Sequence, residues 1–231
     1  MSISTWEARF KKVPVDYIVP VFPVPYVCNT GETEYTIVAI QGLIDEQKRN
    51  YEEVFNTVSG ASDIKLRIAG SGVKLETQAR TSEKIEWSID SSYMDYYQFL
   101  GESMASLPAF SSEAYYSTKV SSTIATSSIV AVPSLAMPRL SQTYPFLPPE
   151  CTWTVASDSV ADAFAESRSC RDQSDARRAC SMELRRQLIA DNVKKSQSAL
   201  YGSASEYFRY KVSRTSKSNK IEDMLRSDLS I

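Results

Sequence analysis

Asp63–Thr77 reads DIKLRIAGSGVKLET, and the way this stretch is read decides the fold. Ile64, Leu66 and Ile68 alternate with Lys65 and Arg67, Gly70-Ser71-Gly72 offers a reversal, and Val73, Leu75 and Thr77 alternate back. Alternation of apolar and charged residues is the mark of an antiparallel strand with one face on the core and one in water. A glycine-rich link between two such runs predicts a hairpin. Glu83–Asp90 (EKIEWSID) repeats the alternation with Ile85, Trp87 and Ile89, so three consecutive antiparallel strands are expected.

Working upstream, Glu34–Leu43 (EYTIVAIQGL) is a β-rich buried strand and Asp45–Val58 a helix whose apolar stripe is Tyr51, Val54, Phe55 and Val58, with Gly60 just beyond its end. Val13–Cys28 (VPVDYIVPVFPVPYVC) alternates apolar residues with four prolines. That composition suits an extended edge strand laid over the protein's own core and is incompatible with a signal or membrane helix.

Downstream, Ser91–Leu107 has helical period through Tyr93, Tyr96, Tyr97, Leu100, Met104 and Leu107. Pro108–Pro149 is rich in Ser, Thr and Pro and nearly free of charge, with strands expected at Tyr115–Val120 and Thr123–Val132. It reads as a loop region over the sheet or as a surface that meets another subunit. Ser157–Gly202 is helical, as one helix or as two divided at Cys170–Ser174, where Asp172 and Ser174 would cap a second start: Ser159 and Asp162 resemble a capping box with Ser157 as the rival cap, Ala176, Cys180, Leu184 and Leu188 recur at i, i+4, Ile189 and Val193 widen the stripe, and Gly202 ends the run. Ser203 and Glu206 would then open a further helix, and Ile221, Met224, Leu225 and Leu229 form the apolar stripe of a short terminal helix that must dock on something.

The resulting expectation is an α+β chain. Residues 1–150 hold a small, mostly antiparallel sheet with packed helices, together with the proline-rich segment and the low-charge stretch. Residues 151–231 form a basic helical region ending in the short C-terminal helix. The halves differ in charge, with 12 Lys and Arg against 17 Asp and Glu in the first and 14 against 11 in the second.

Much chemistry is excluded by composition. The chain has no histidine, which removes His-dependent triads and His-ligated zinc. Only 7 glycines are present, and Gly70-Ser71-Gly72 lacks the third glycine of a dinucleotide fingerprint. Cys28, Cys151, Cys170 and Cys180 show no CxxC spacing, and free thiols are expected. Asp63, Glu76 and Glu86 with Lys74 are the raw material for a carboxylate metal cluster of a metal-dependent hydrolase, although alternation puts such residues on a solvated face in any amphipathic hairpin. No catalytic, cofactor-binding or metal-ligating residue is assigned, and no cofactor is expected. The strongest binding feature is the ridge formed by Arg177, Arg178, Arg185, Arg186, Lys194 and Lys195, suited to phosphates or to an acidic partner.

These features predict a non-enzymatic structural or assembly protein, for example a virion shell or matrix component, that associates with itself or with other protein subunits, in part through Ile221, Met224, Leu225 and Leu229. A nucleic-acid-binding protein using the basic helices is the alternative, and the carboxylate hydrolase the third reading. No transmembrane segment is evident, and an intracellular location, or one within a virion assembled there, is expected.

Overall fold

A computed structural model describes residues 18–24, 34–117, 119–169 and 173–215. The strands are β1 (Thr36–Gln41), β2 (Ile64–Gly70), β3 (Ile85–Ile89), β4 (Ala105–Ser106), β5 (Leu135–Ala136) and β6 (Trp153–Thr154). The helices are α1 (Tyr51–Gly60), α2 (Ala79–Ser82), α3 (Tyr93–Gly101), α4 (Ala114–Ser117), α5 (Ser122–Ile129), α6 (Pro138–Thr143), α7 (Val160–Ser169) and α8 (Ser174–Thr215), with a 3-10 turn at Pro149–Cys151.

Four strands pair in the order β3-β2-β1-β4, every pair parallel. The parallel pair β5-β6 continues this order through a parallel bridge between Ser106 and Ser134. The sequence β3-β2-β1-β4-β5-β6 is that of a doubly wound, Rossmann-type α/β fold, in which strand order reverses direction between β1 and β4. The expected antiparallel sheet is thereby corrected. Gly70-Ser71-Gly72 does not turn a hairpin: after β2 the chain passes through α2 and returns as β3 alongside β2, Leu66 against Ile85.

The reason for the misleading alternation lies in the two faces of β2. Ile64, Leu66 and Ile68 are fully buried with Val38, Ile40, Val54, Val58 and Phe164 in the core between the sheet and the α1/α7 layer. On the opposite face α3 covers the strand, and Arg67 is accommodated there by charge pairing. Its Nε donates to Glu86 (2.8 Å), its Nη1 to Glu102 and to the Phe99 carbonyl (both 3.1 Å), and its guanidinium lies over the Phe99 ring. A covered charged residue at every second position imitates a solvated face. β1 has no such residue, and all six of its side chains are buried. On the α3/α5 side its Ala39 and the Ala69 of β2 are small enough for those helices to approach.

Several helices start and stop by side-chain bonds. Asn50 accepts from the Glu53 amide at the start of α1, and Glu53 in turn accepts from the Val160 amide at the start of α7 (3.0 Å), so one carboxylate joins two helix ends. Lys84 donates to the carbonyls of Val58 and Ser59 (3.0 and 3.1 Å) and of Ala61, closing the end of α1. Ser159 accepts from the Asp162 amide in the first turn of α7.

The low-charge stretch forms helices α4 and α5 where strands were expected, and most of α5 is buried within its own chain. Ser121 caps it, and Ser127 and Ser128 return their hydroxyls to the carbonyls of Thr123 and Ile124, so packing and local bonds override weak propensity.

Among the described residues two compact units are distinguishable, one ending at Ile189 and the other beginning at Ala190. α8 continues through Gly202, where the sequence predicts a stop. In its first half the inward positions are Arg178 and Ser181, with Leu188 and Ile189 against the α3/α5 core, while Ala176 is exposed, as is Val193 in the second unit. The proposed interface residues Ile221, Met224, Leu225 and Leu229 lie outside the described residues, as do Cys28 and Cys170.

The expectation of four free thiols is also corrected: Cys151 and Cys180 form a disulfide, their Cα atoms 5.0 Å apart and 29 residues apart in sequence. No short motif announces this pair, because helix docking brings the two cysteines together. A loop of this length implies about 3.5 kcal/mol of stabilisation from restricting the unfolded chain. Mass spectrometry of alkylated, unreduced protein should find Cys151 and Cys180 protected, and reduction should lower the unfolding free energy by that order.

A second prediction concerns the ends of β1 and β2. A Cβ on Gly70 would lie 1.7 Å from the Gly42 carbonyl oxygen, a contact that only displacement of the strand ends relieves. Gly70→Ala should cost about 2–4 kcal/mol in urea unfolding.

Candidate functional site at the carboxyl ends of the strands

The carboxyl ends of β1, β2 and β3 open into a cleft of about 620 Å³ whose lining includes Gly42, Gly70, Ser71, Asp90, Tyr93, Tyr96, Tyr97, Ser122 and Thr126. In doubly wound sheets ligands bind at this edge, beside the point where strand order reverses. Here that point is the end of β1. Gly42 (φ +112°) and Gly72 (φ +123°) adopt backbone conformations closed to other residues at low cost, and Asp90 at the end of β3 is left-handed (φ 49°). The glycines let the strand ends approach one another closely and leave backbone exposed to an incoming ligand.

One wall is aromatic. Tyr93 stacks on Tyr97 at 6.2 Å between ring centroids, and Tyr96 meets Tyr97 edge-on at 5.3 Å. Ser92 caps α3 and so orients this wall. A second lobe of about 420 Å³ shares Gly42, Leu43 and Ser122 with the first and is lined further by Lys48, Arg49, Tyr115, Lys119, Val120 and Ser121. An apolar cavity of about 130 Å³ beneath Val120 and Phe146 lies elsewhere on α5 and has little polar lining.

A buried polar network forms the floor. The Gln41 side-chain amide donates to the Thr123 carbonyl (2.7 Å) and to Ser127 Oγ (2.9 Å), and its oxygen accepts from the Tyr96 hydroxyl (3.3 Å). The hydroxyls of Ser127 and Ser106, the latter at the end of β4, are hydrogen-bonded (2.9 Å). Arg49 donates through Nη2 to the Gln41 carbonyl (3.0 Å) and to Thr123 Oγ1 (2.7 Å), and through Nη1 to the Lys48 carbonyl (3.1 Å). The network ties the ends of β1 and β4 to the first turns of α5. Burial raises the Tyr96 phenol to about 12, so it stays a neutral donor to Gln41 at physiological pH.

The residues singled out from sequence fall elsewhere. Arg177 reaches the carbonyls of Pro149 and Thr152 and lies over the Trp153 ring; Arg178 donates to the carbonyls of Gly101 (2.8 Å) and Ser103 (2.5 Å); Arg185 donates to the Ile129 carbonyl (2.8 Å). Half of the ridge therefore turns inward to the ends of α3, α5 and the 3-10 turn. Arg186 is exposed and pairs with Glu183, and Lys194 and Lys195 lie in the second unit. The carboxylates do not gather: Asp63 pairs with Arg168 (3.1 Å) and Glu86 with Arg67, while Lys74 lies over Trp87. Among the described residues no group of three Asp, Glu, Cys or His could hold a metal ion. Gln41, Arg49, Tyr96 and Thr123 carried no sequence signal, because each is an ordinary residue until the sheet assembles. Gly42, directly after a buried strand, was the one available hint.

No family model matches the sequence, and no curated protein matches it. Solved structures are similar in fold. Sucrose-phosphate synthase from Thermosynechococcus elongatus superposes with a TM-score of 0.58 at 13% identity, over 90% of this chain and 58% of that one. Weaker matches are the spinosyn rhamnosyltransferase SpnG complexed with spinosyn aglycone (TM-score 0.48, 13% identity, 78% of this chain and 50% of that one) and the lipopolysaccharide outer core galactosyltransferase WaaB (0.46, 15%, 78% and 52%). The expectation of a non-enzymatic structural, assembly or virion protein is corrected by the likeness in fold to an enzyme, sucrose-phosphate synthase. This chain spans 58% of the length of the synthase. No helix among the described residues is long and apolar enough to cross a membrane.

The tyrosines give a pH prediction. Burial raises both Tyr51 and Tyr96 from 10.0 to about 12. In the unfolded chain these phenols ionise near 10, so the stability they contribute is complete below pH 10 and is lost as pH rises through 12. Absorbance titration of the phenolates should show a late-ionising class that disappears in urea, and unfolding free energy should fall between pH 10 and 12.

Proposed function

We propose that this chain is a substrate-binding domain of a glycosyltransferase-like enzyme and that it holds a sugar or an activated sugar in the cleft above β1. The observation that carries this reading is the cleft itself, a polar, tyrosine-walled opening at the strand-order reversal of a parallel sheet. Its chemistry suits a carbohydrate. Tyr93, backed by Tyr97, offers a ring face to the apolar face of a pyranose, while Ser71, Ser91, Ser122 and Thr126 offer hydroxyls to its rim. Asp90, the single carboxylate on this wall, is the proposed acceptor for a substrate hydroxyl and, in a transfer reaction, for its proton. The fold likeness to sucrose-phosphate synthase supports an enzyme of this class and does not identify donor or acceptor.

Contact with nucleic acid or an acidic partner stays a separate proposal that now falls to Arg186, Lys194 and Lys195. Association with itself or other subunits is likewise a proposal. So is an intracellular location, against which the Cys151–Cys180 bond weighs, since disulfides persist in oxidising compartments.

Ligand-observed NMR and calorimetry with UDP-glucose, glucose and glucose 6-phosphate test the main reading. At least one should bind, and Tyr93→Ala, at a side chain 79% exposed, should weaken binding about 3–10-fold without loss of fold. Absence of binding by all three at millimolar concentration, or binding indifferent to Tyr93, refutes it.

A further inference from the structure

We infer that the second lobe of the cleft is an oxyanion site that takes a phosphate group of the substrate, held between the Arg49 guanidinium and the amino end of α5. The inference rests on the substrate-site reading above only for what the phosphate is attached to.

Arg49 is a cation only 4% exposed. Its bonds go to neutral acceptors, the carbonyls of Lys48 and Gln41 and the Thr123 hydroxyl, and its Nε has no partner. Among the described residues no carboxylate forms an ion pair with it. Asp45, four residues before it, pairs with Lys48 instead (3.6 Å). The rings of Phe110 and Tyr115, stacked on each other, lie on one side of the guanidinium at 4.9 and 5.6 Å from its carbon. A buried cation lacking a counter-charge is costly, and an anion entering the lobe relieves that cost.

The surroundings favour an oxyanion over any other anion partner. The lining of the lobe carries three cations, Lys48, Arg49 and Lys119, and no carboxylate. Ser122, exposed at the first position of α5, has its amide outside the intrahelical ladder, where helix ends attract phosphate oxygens. Thr123 links the two halves of the site, since it sits in that first turn and accepts from Arg49 at 2.7 Å. A phosphate presents several oxygens at once, matching the cationic groups of the lining on one side and the Ser122 amide on the other.

Calorimetry on the full chain with inorganic phosphate, glucose 6-phosphate, UDP-glucose and glucose tests this at constant ionic strength. Inorganic phosphate should bind and compete with glucose 6-phosphate or UDP-glucose. Whichever of the two binds more tightly identifies the phosphate as a monoester or a diphosphate. Ser122→Pro deletes one amide at a position where proline suits a helix, and should weaken phosphate about 5–20-fold with the unliganded melting temperature unchanged. Lys119→Gln should weaken it about 3–5-fold, more at low salt than at high. Arg49→Lys should cost more than either if circular dichroism shows it folded, and the two other variants decide the matter if it is not. Phosphate that fails to bind, or that binds Ser122→Pro and Lys119→Gln as it binds the parent, overturns the inference. Glucose bound at the Tyr93 wall with indifference to phosphate also overturns it while leaving the sugar reading standing. Phosphate dependent on Ser122, with no gain from an attached sugar, sustains it and removes the sugar reading.

Discussion

Burial of β1 on both faces is the constraint on which the rest of the molecule depends. Its six residues are all inaccessible to water, so its backbone bonds must be satisfied by β2 on one side and β4 on the other, and helices must cover both faces of the sheet. The α1/α7 layer meets Val38 and Ile40, and the α3/α5 layer meets Ala39. With β1 central and its neighbours parallel, the ends of the strands lie on one edge, and strand order can reverse only beside β1. The cleft is the outcome of that geometry: Gln41 ends inside the protein and Gly42 begins the opening.

Cations at helix ends are the second organising element. Lys84 holds the end of α1, Arg178 the end of α3 and Arg185 the end of α5, each against backbone carbonyls. Charge-assisted bonds of this kind contribute about 1.5–3 kcal/mol each when shielded from water, and the negative end of the helix dipole adds to them. A helix whose arginines serve this purpose looks, in sequence, like one that offers them to a phosphate backbone. Arg49 differs from these three. It too donates to carbonyls, but it lines an open cleft whose lining holds two further cations and no carboxylate, and that difference separates a structural cation from one available to a ligand.

The polar floor beneath the cleft has a matching logic. Gln41, Thr123, Ser127 and Ser106 come from β1, α5 and β4, and their bonds hold the reversal point rigid while keeping hydroxyl and amide groups near the opening. In α5 (STIATSSI) the same Ser and Thr residues that lower intrinsic helicity bond back to the preceding turn or across to β1. The segment is helical because its neighbours make it so.

The sequence by itself determined local matters, those that depend on residues a few positions apart. The strands around Thr36–Gln41, Ile64–Gly70 and Ile85–Ile89, the stripe of Tyr51, Val54 and Val58, and the Ser159 cap were legible because period and capping act within one element. Strand direction was not, since Arg67 beneath α3 carries the same alternation as a residue in water. Nor was the site. Arg49, Gln41, Tyr96 and Thr123 are separated by up to 82 residues, and the Cys151–Cys180 bond by 29. Their chemistry comes into being only when the parallel sheet brings one strand end against the first turn of a distant helix. Tertiary structure alone decided that, because burial and the loss of competing water turn scattered polar residues into a network.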